Sequence, residues 1–330
     1  MEKKRVILDC DPGVGIIGID ADDPLAILLA LGSKELLIEG ITTVYGNVEV
    51  NLATRSALKV LEVIGRSDIP VAKGMSLPLS GFHHPEIERQ YNGNRGKVGL
   101  ISLPEIKDKI LNIHAVDFII SKVLENPNEL SIITIGPQTN VACAIIKEPS
   151  IRNKVKEIIM MGGALGLDPN FGKGNITPVA ELNIWHDPQA ANIVFSSGIP
   201  ITMVSLDVTN PAKGTVLYKE TLKEIEIKKT RVTDFIYDIC KTYIDKPMFN
   251  WIKKAGCILY DPLAVAVAAL PSLAKTVKMC VQVETKGEYT FGQTIADIRK
   301  VDGKNENIDV CIDVESDNFI RMFVERLCSL

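Results

Sequence analysis

The chain has 330 residues, 46% of them hydrophobic, and its 37 Lys and Arg stand against 41 Asp and Glu for a net charge of −4. That balance argues against an electrostatic nucleic-acid binder, and no run of about 18 apolar residues signals a membrane span. The first residues, Met1-Glu2-Lys3-Lys4-Arg5, lack the apolar stretch of a signal peptide, and the seven cysteines show no CxxC or CxxxC spacing. Both features read as a cytoplasmic protein whose reduced thiols fill the core.

Residues 6–31 read VILDCDPGVGIIGIDADDPLAILLAL. Val6-Ile7-Leu8 is an apolar run of the length of a buried strand, and Pro24 opens a helix in its first turn. Between them lie Asp9, Asp11, Asp20, Asp22 and Asp23, with no Lys or Arg from Val6 to Gly32. Carboxylates crowded at a strand end repel one another and resist ionising together. A hard divalent cation with oxygen ligands removes that repulsion, and Ca²⁺ or Mg²⁺ suits the set better than zinc because no His or Cys cluster accompanies it. Helix capping by Asp22 and a turn at Asp9 account for one or two of these acids, not for all.

Strand and helix then alternate. A strand over 36–43 leads into the loop Val44-Tyr45-Gly46-Asn47, a helix over 53–64 and a short strand over 69–72. Residues 73–112 read as a long irregular region, a length that is usually functional in compact domains. A helix over 115–125 precedes a strand over 130–135, and Gly136-Pro137-Gln138-Thr139-Asn140 opens the next helix. The strand over 156–161 runs into Gly162-Gly163 and a second glycine-rich loop, 164–175. A helix over 187–196, a strand over 199–206 and two helices within 215–254 follow. Asp261-Pro262 starts another helix, and a polar, β-rich stretch over 277–314 precedes a last one. This alternation defines an α/β protein, a single large domain over 1–330 with a mostly parallel central sheet and helices on both faces.

Ligands of open α/β sheets gather beyond the carboxyl ends of the strands. That rule collects the acids after the first strand, Asn47 after the second, the Gly136 loop, Glu181, Asn183 and Asp261. Taken singly, Asn47 also fits a turn, Asn140 a helix surface and Asp261 an N-cap. Together they describe an acidic, metal-bearing cup suited to a polyhydroxylated ligand. The two-residue spacing of Glu181 and Asn183 puts both on one face if that segment is extended.

The blocks ILDCDPG with DDPLAILLAL, GITTVYGNV, IGPQTNVA, EIIMMGGA, GNITPVAELNIWHDPQAA, ITMVSLDVT and YDPLAVA occur in order. The chain thereby resembles the inosine/uridine-preferring nucleoside hydrolase family. The resemblance implies Ca²⁺ held by Asp11, Asp23, Asp261 and the backbone carbonyl of Ile135. It implies ribose hydroxyls gripped by Asp22, Asn47 and Asn183, a 5′-hydroxyl held by Asn175 and Glu181, and Met161 lining the sugar pocket. The activity implied is hydrolysis of the N-glycosidic bond of ribonucleosides to free base and ribose in nucleoside salvage, with Asp11 as general base on metal-bound water. A ring of carboxylates and amide oxygens suits the oxocarbenium-like transition state. The partner implied is a small-molecule nucleoside, with neither nucleic acid nor membrane, and the assembly a homo-oligomer, dimer or tetramer.

Three departures from the family pattern stand out. One residue usually separates the first glycine from the acid pair, whereas Val14 to Ala21 intervene here, which leaves Asp20 as an alternative ligand. The commoner branch carries His before the late aspartate as leaving-group acid, and this chain has Tyr260. A His-Gly position in the long loop is Asn92-Gly93. His83, His84, His114 and His186 read as surface or satisfied residues, with His83 and His84 the ones able to reach a base. Tyr260 reads as a stacking partner of the leaving base, because an ordinary phenol pKa of about 10 makes a sluggish acid near neutrality. Two other classes stay open: a non-catalytic nucleoside or ribose binder, and an aspartyl phosphotransferase with Asp9 attacking and Asp11 as acid. The first would release no free sugar, and the second would cleave a generic phosphate monoester.

Overall fold

The computed structural model describes residues 3–16, 19–92, 101–106, 109–167, 174–241, 243–245 and 255–330. Gly93, residues 17 and 18, residues 168–173 of the second glycine-rich loop and residues 246–254 of the expected helical region lie outside that set. The chain runs β1 (Lys4–Cys10), α1 (Asp22–Leu31), β2 (Leu36–Thr43), α2 (Val50–Ile64), β3 (Val71–Lys73), α3 (Pro85–Asn92), α4 (Ala115–Glu125) and β4 (Leu130–Thr134). It continues α5 (Thr139–Lys147), β5 (Glu157–Met161), α6 (Leu182–His186), α7 (Pro188–Phe195), β6 (Ile201–Val204), α8 (Leu206–Thr209), β7 (Val216–Leu217), α9 (Lys219–Glu226) and α10 (Arg231–Cys240). The remaining elements are β8 (Cys257–Ile258), α11 (Tyr260–Ala269), β9 (Ala274–Met279), β10 (Val281–Val283), β11 (Thr294–Ala296), β12 (Ile308–Val314) and α12 (Ser316–Cys328).

Eight strands form one sheet in the order β3-β2-β1-β4-β5-β6-β12-β9, parallel throughout except where β9 pairs with β12. β1 shows why the strands read as apolar runs. From Val6 onward it is buried, with Val6, Leu8 and Cys10 packed into the cluster of α1, α2, α11 and α12 and Ile7 into that of α4, α5 and α7. A strand covered on both faces has no polar side to display. From β1 the sheet is built outward in both directions, through β2 and β3 on one side and β4, β5 and β6 on the other. The carboxyl ends of β1 and β4 therefore flank the point where the winding reverses, the ligand crevice of open α/β sheets.

Two local readings change. Residues 73–112 are not irregular throughout, because α3 forms within them and buries Ile87 against Ala180 and Trp185. Residues 181–183 are not extended, because Glu181 is the N-cap of α6 and its carboxylate accepts the N–H groups of Asn183 at 2.8 Å and Ile184 at 3.1 Å. Capping satisfies donors that an extended segment would leave to other partners.

The glycine loop after β5 is tied down from α8. Buried Asp207 accepts the N–H groups of Leu165 at 2.8 Å and Leu167 at 2.7 Å and the Ser205 hydroxyl at 2.8 Å. Asp207→Ala strands these donors and is expected to lower stability by about 3 kcal/mol. Urea unfolding measures this, and an unchanged midpoint would show that the tie contributes nothing.

Candidate active site

α1 and α11 pack side by side, and both are buried nearly end to end. Each carries Asp-Pro in its first turn, Asp23-Pro24 and Asp261-Pro262, where a missing N–H is harmless. The two helix N-termini thus bring their acids together at the ends that favour negative charge. Asp22, Asp23 and Asp261 each offer a carboxylate oxygen within 4.8 Å of the others, and all three are buried.

Asp11, at the end of β1, joins them through the backbone. Its N–H donates to Asp23 Oδ1 at 3.1 Å, and its Oδ2 accepts the Asn47 N–H at 2.6 Å. Asn47 Nδ2 donates in turn to Asp23 Oδ2 at 2.9 Å. Glycine is required on both sides of this carboxylate: a Cβ on Gly46 would overlap Asp11 Oδ2, and one on Gly136 would stand 2.6 Å from Oδ1. Beyond β4, the Ile135 carbonyl accepts Asn183 Nδ2 at 3.0 Å, and the same amide reaches the Met161 carbonyl at 3.3 Å. Asp11, Asp22, Asp23, Asp261, Asn47, Ile135, Met161 and Asn183 therefore form one contiguous group. Glu181 adjoins it, with one oxygen on the Asn183 N–H and the other on the Gly163 N–H at 2.9 Å. Asn175 stands apart: it is exposed and its Oδ1 accepts the Leu182 N–H at 3.0 Å.

Asp9 belongs to the foundation of the cup. It is fully buried and accepts the Thr42 hydroxyl at 2.5 Å and Asn140 Nδ2 at 2.8 Å. Asn140 also donates to the Thr43 carbonyl at 3.1 Å and accepts the Met75 N–H at 2.9 Å, so it is a tie among β1, β2 and the start of the long loop, not a helix-surface residue. Burial pushes the Asp9 carboxyl up to about 7. A carboxylate clamped in this way is badly placed to attack a phosphate.

Burial also raises Asp11, Asp22 and Asp261 well above the carboxylate range, aided by neighbouring charges: Asp23 on Asp11 and Asp261, and Asp20 on Asp22. Among the described residues no Lys or Arg forms an ion pair with Asp9, Asp11, Asp20, Asp22, Asp23 or Asp261. Asp11 Oδ1 and Asp22 Oδ1 are buried without a hydrogen-bond partner. Clustered carboxylate oxygens, two of them orphaned, with a backbone carbonyl nearby, fit a hard divalent cation.

Tyr260 opens α11 and is partly exposed. Burial, then the charges of Asp20 and Asp22, hold its hydroxyl well above the ordinary phenol value, so it is a still weaker acid than the sequence implied. His114 caps α4, as the bland reading of that residue expects. An aromatic wall escaped the sequence reading. The His83 ring lies 4.9 Å from Tyr45 and 5.4 Å from Tyr91, and the Tyr91 hydroxyl donates to the Gly46 carbonyl at 2.7 Å, next to Asn47. Burial lowers the His83 pKa. Its loop position was the one available signal.

This fold and this cup define a class. Residues 6–321 match the inosine-uridine preferring nucleoside hydrolase family, and the chain belongs to it. Among curated relatives, the pyrimidine-specific ribonucleoside hydrolase RihA of Escherichia coli is 36% identical over 98% of this chain and 97% of its own length. Among solved structures, the purine-preferring ribonucleoside hydrolase of Gardnerella vaginalis superposes with a TM-score of 0.85 at 35% identity, covering 99% of this chain and 98% of that one. The plant nucleoside hydrolase PpNRh1 gives 0.86 at 31% identity, covering 99% of both chains.

The electrostatics set a pH dependence. Without a cation, the folded carboxyls hold protons above the unfolded value of about 4. Their stabilising contribution is full below that value and is lost as pH rises through the folded pKa, about 7 for Asp9. Chelated protein is therefore expected to melt lower at about pH 8 than at about pH 5, with a divalent cation restoring stability mainly at the higher pH. Equal melting temperatures at both pH values after chelation would contradict this.

Proposed function

We propose that this enzyme is a calcium-dependent ribonucleoside hydrolase that cleaves the N-glycosidic bond with water to give free base and ribose. The observation that carries this reading is the buried carboxylate cup at the switch point of the sheet, with orphaned oxygens on Asp11 and Asp22. Asp11, Asp23, Asp261 and the Ile135 carbonyl would hold the ion. Bound there, Ca²⁺ lowers the pKa of water and anchors vicinal hydroxyls.

The chain's own groups supply the rest. Asp11 is the general base: the Asn47 N–H fixes Oδ2, and Oδ1 is left to receive the proton of the attacking water. Asn47 and Asn183 commit their amide donors to Asp23 and to the Ile135 carbonyl, so their Oδ1 atoms are the ones that accept ribose hydroxyls. Asp22 stands with them in the acceptor set around the 2′- and 3′-hydroxyls. Glu181, fixed by three backbone N–H groups, presents its remaining lone pairs to the 5′-hydroxyl, with Asn175 at the rim and Met161 beneath the sugar. The surrounding carboxylates stabilise positive charge developing on the ribosyl ring. Tyr260 stacks on the leaving base and donates no proton, and its ring favours the larger purine surface. The named relatives divide between pyrimidine-specific and purine-preferring enzymes, so their names do not choose. A cytoplasmic homo-oligomer, dimer or tetramer, completes the proposal. Among the described residues no helix is long and apolar enough to cross a membrane.

Asp11→Ala and Asp261→Ala are expected to abolish ribose release and calcium binding together, the first read by a reducing-sugar assay and the second by calorimetry. Exhaustive chelation of the unaltered enzyme acts likewise, and full activity afterwards would sink the calcium mechanism. For the leaving group, Tyr260→Phe is expected to keep most activity and Tyr260→Leu to lose at least about tenfold in kcat/KM on purine nucleosides. Equal failure of both would assign the role to the hydroxyl, and wild-type turnover by both would assign the ring to packing alone.

A further inference from the structure

The N–H that fixes Asp11 Oδ2, that of Asn47 at 2.6 Å, shares one peptide unit with the Gly46 carbonyl. This peptide is trans, as are all those of the described residues, so its N–H and C=O are coplanar and point in opposite directions. The Tyr91 hydroxyl donates to that carbonyl at 2.7 Å and lies 3.3 Å from the Val48 carbonyl. A continuous line of hydrogen bonds thus runs from the phenol, through one rigid plane, to the carboxylate. Bonds in such a line polarise one another, and a tilt of the plane that weakens one weakens both.

The plane needs a restraint from outside. Asp11 Oδ2 excludes a Cβ at residue 46, so the hinge of this peptide is a glycine with no side chain to limit its rotation. Tyr91 supplies the restraint from α3. At the start of that helix the Glu86 N–H donates to His84 Nδ1 at 3.2 Å. Ile87 is buried with Ala180 and Trp185, Tyr91 packs against the same cluster, and the His83 ring meets Tyr91 edge to face at 5.4 Å. The docked helix therefore reaches the carboxylate cup through one hydroxyl.

We propose that Tyr91 is a positioning residue whose hydroxyl locks the Gly46–Asn47 peptide and thereby holds the Asp11 carboxylate in the orientation that binds the cation. The inference rests on the reading of Asp11 as an ion ligand. In this role the phenol touches neither the ion nor the substrate.

The test uses the full chain, its Tyr91→Phe and Tyr91→Leu variants, and calcium alone. Calorimetry on chelated protein measures the calcium Kd, and melting is followed with and without calcium. Tyr91→Phe keeps the ring against His83 and loses only the donor. It is expected to weaken calcium binding about fivefold, the worth of one ordinary hydrogen bond, and to shrink the rise in Tm produced by a fixed excess of calcium. Tyr91→Leu is expected to weaken calcium binding no further, although it melts lower because packing is lost as well. A merely structural hydroxyl lowers Tm equally with and without calcium and leaves the Kd alone. An unchanged Kd in Tyr91→Phe, or a Kd that rises only in Tyr91→Leu, would therefore overturn the proposal. Absence of calcium binding by the unaltered enzyme would instead refute the assignment of Asp11 as a ligand, and the proposal with it.

Discussion

Negative charge held out of water is the constraint on which this structure turns. An isolated buried carboxylate is costly unless it is paired, hydrogen-bonded, metal-bound or neutralised. Here Asp11, Asp22, Asp23 and Asp261 converge with no Lys or Arg among their described ion pairs. Much of the local design moderates that burden. Two helix N-termini point their positive ends at the cup. Asn47 spends its backbone N–H on Asp11 and its side-chain amide on Asp23. Gly46 and Gly136 clear the space for these approaches, and a cation between the carboxylates would offset the remainder.

The same constraint explains what was legible in the sequence. Acids inside apolar frames, such as Asp9 and Asp11 after Val6-Ile7-Leu8 or Asp261 before Pro262-Leu263-Ala264, have no surface to occupy, so their burial was legible in the sequence. β1, β2, β4, β5 and β6 were readable to within a few residues because parallel strands covered on both faces appear as apolar runs. β7 and β8, two residues each, have no periodicity to detect, and β9 to β12 were visible only as a β-rich region.

Other roles are tertiary and left no local trace. Asn140 looks like any polar residue at a helix start, yet its amide joins a carboxylate of β1 to carbonyl and N–H groups far from it in sequence. Glu181 was recognised, but its spacing from Asn183 suggested a strand, because capping depends on which N–H groups a turn exposes. The wall of Tyr45, His83 and Tyr91 depends on the loop carrying His83 and α3 folding back onto the turn after β2.

The placement of β1 bears on how the molecule matures. β1 is first in sequence yet lies between β2 and β4, and the cup around Asp11 is completed by the Ile135 carbonyl after β4 and by Asp261 on α11, each more than a hundred residues from the previous one. Closure over such separations is slow and comes after local helices form. A growing chain therefore exposes Asp11, Asp22 and Asp23 long before the residues that complete their cage exist. A cation held by this cage would not nucleate the fold. It would enter a finished topology, as the last step of assembly.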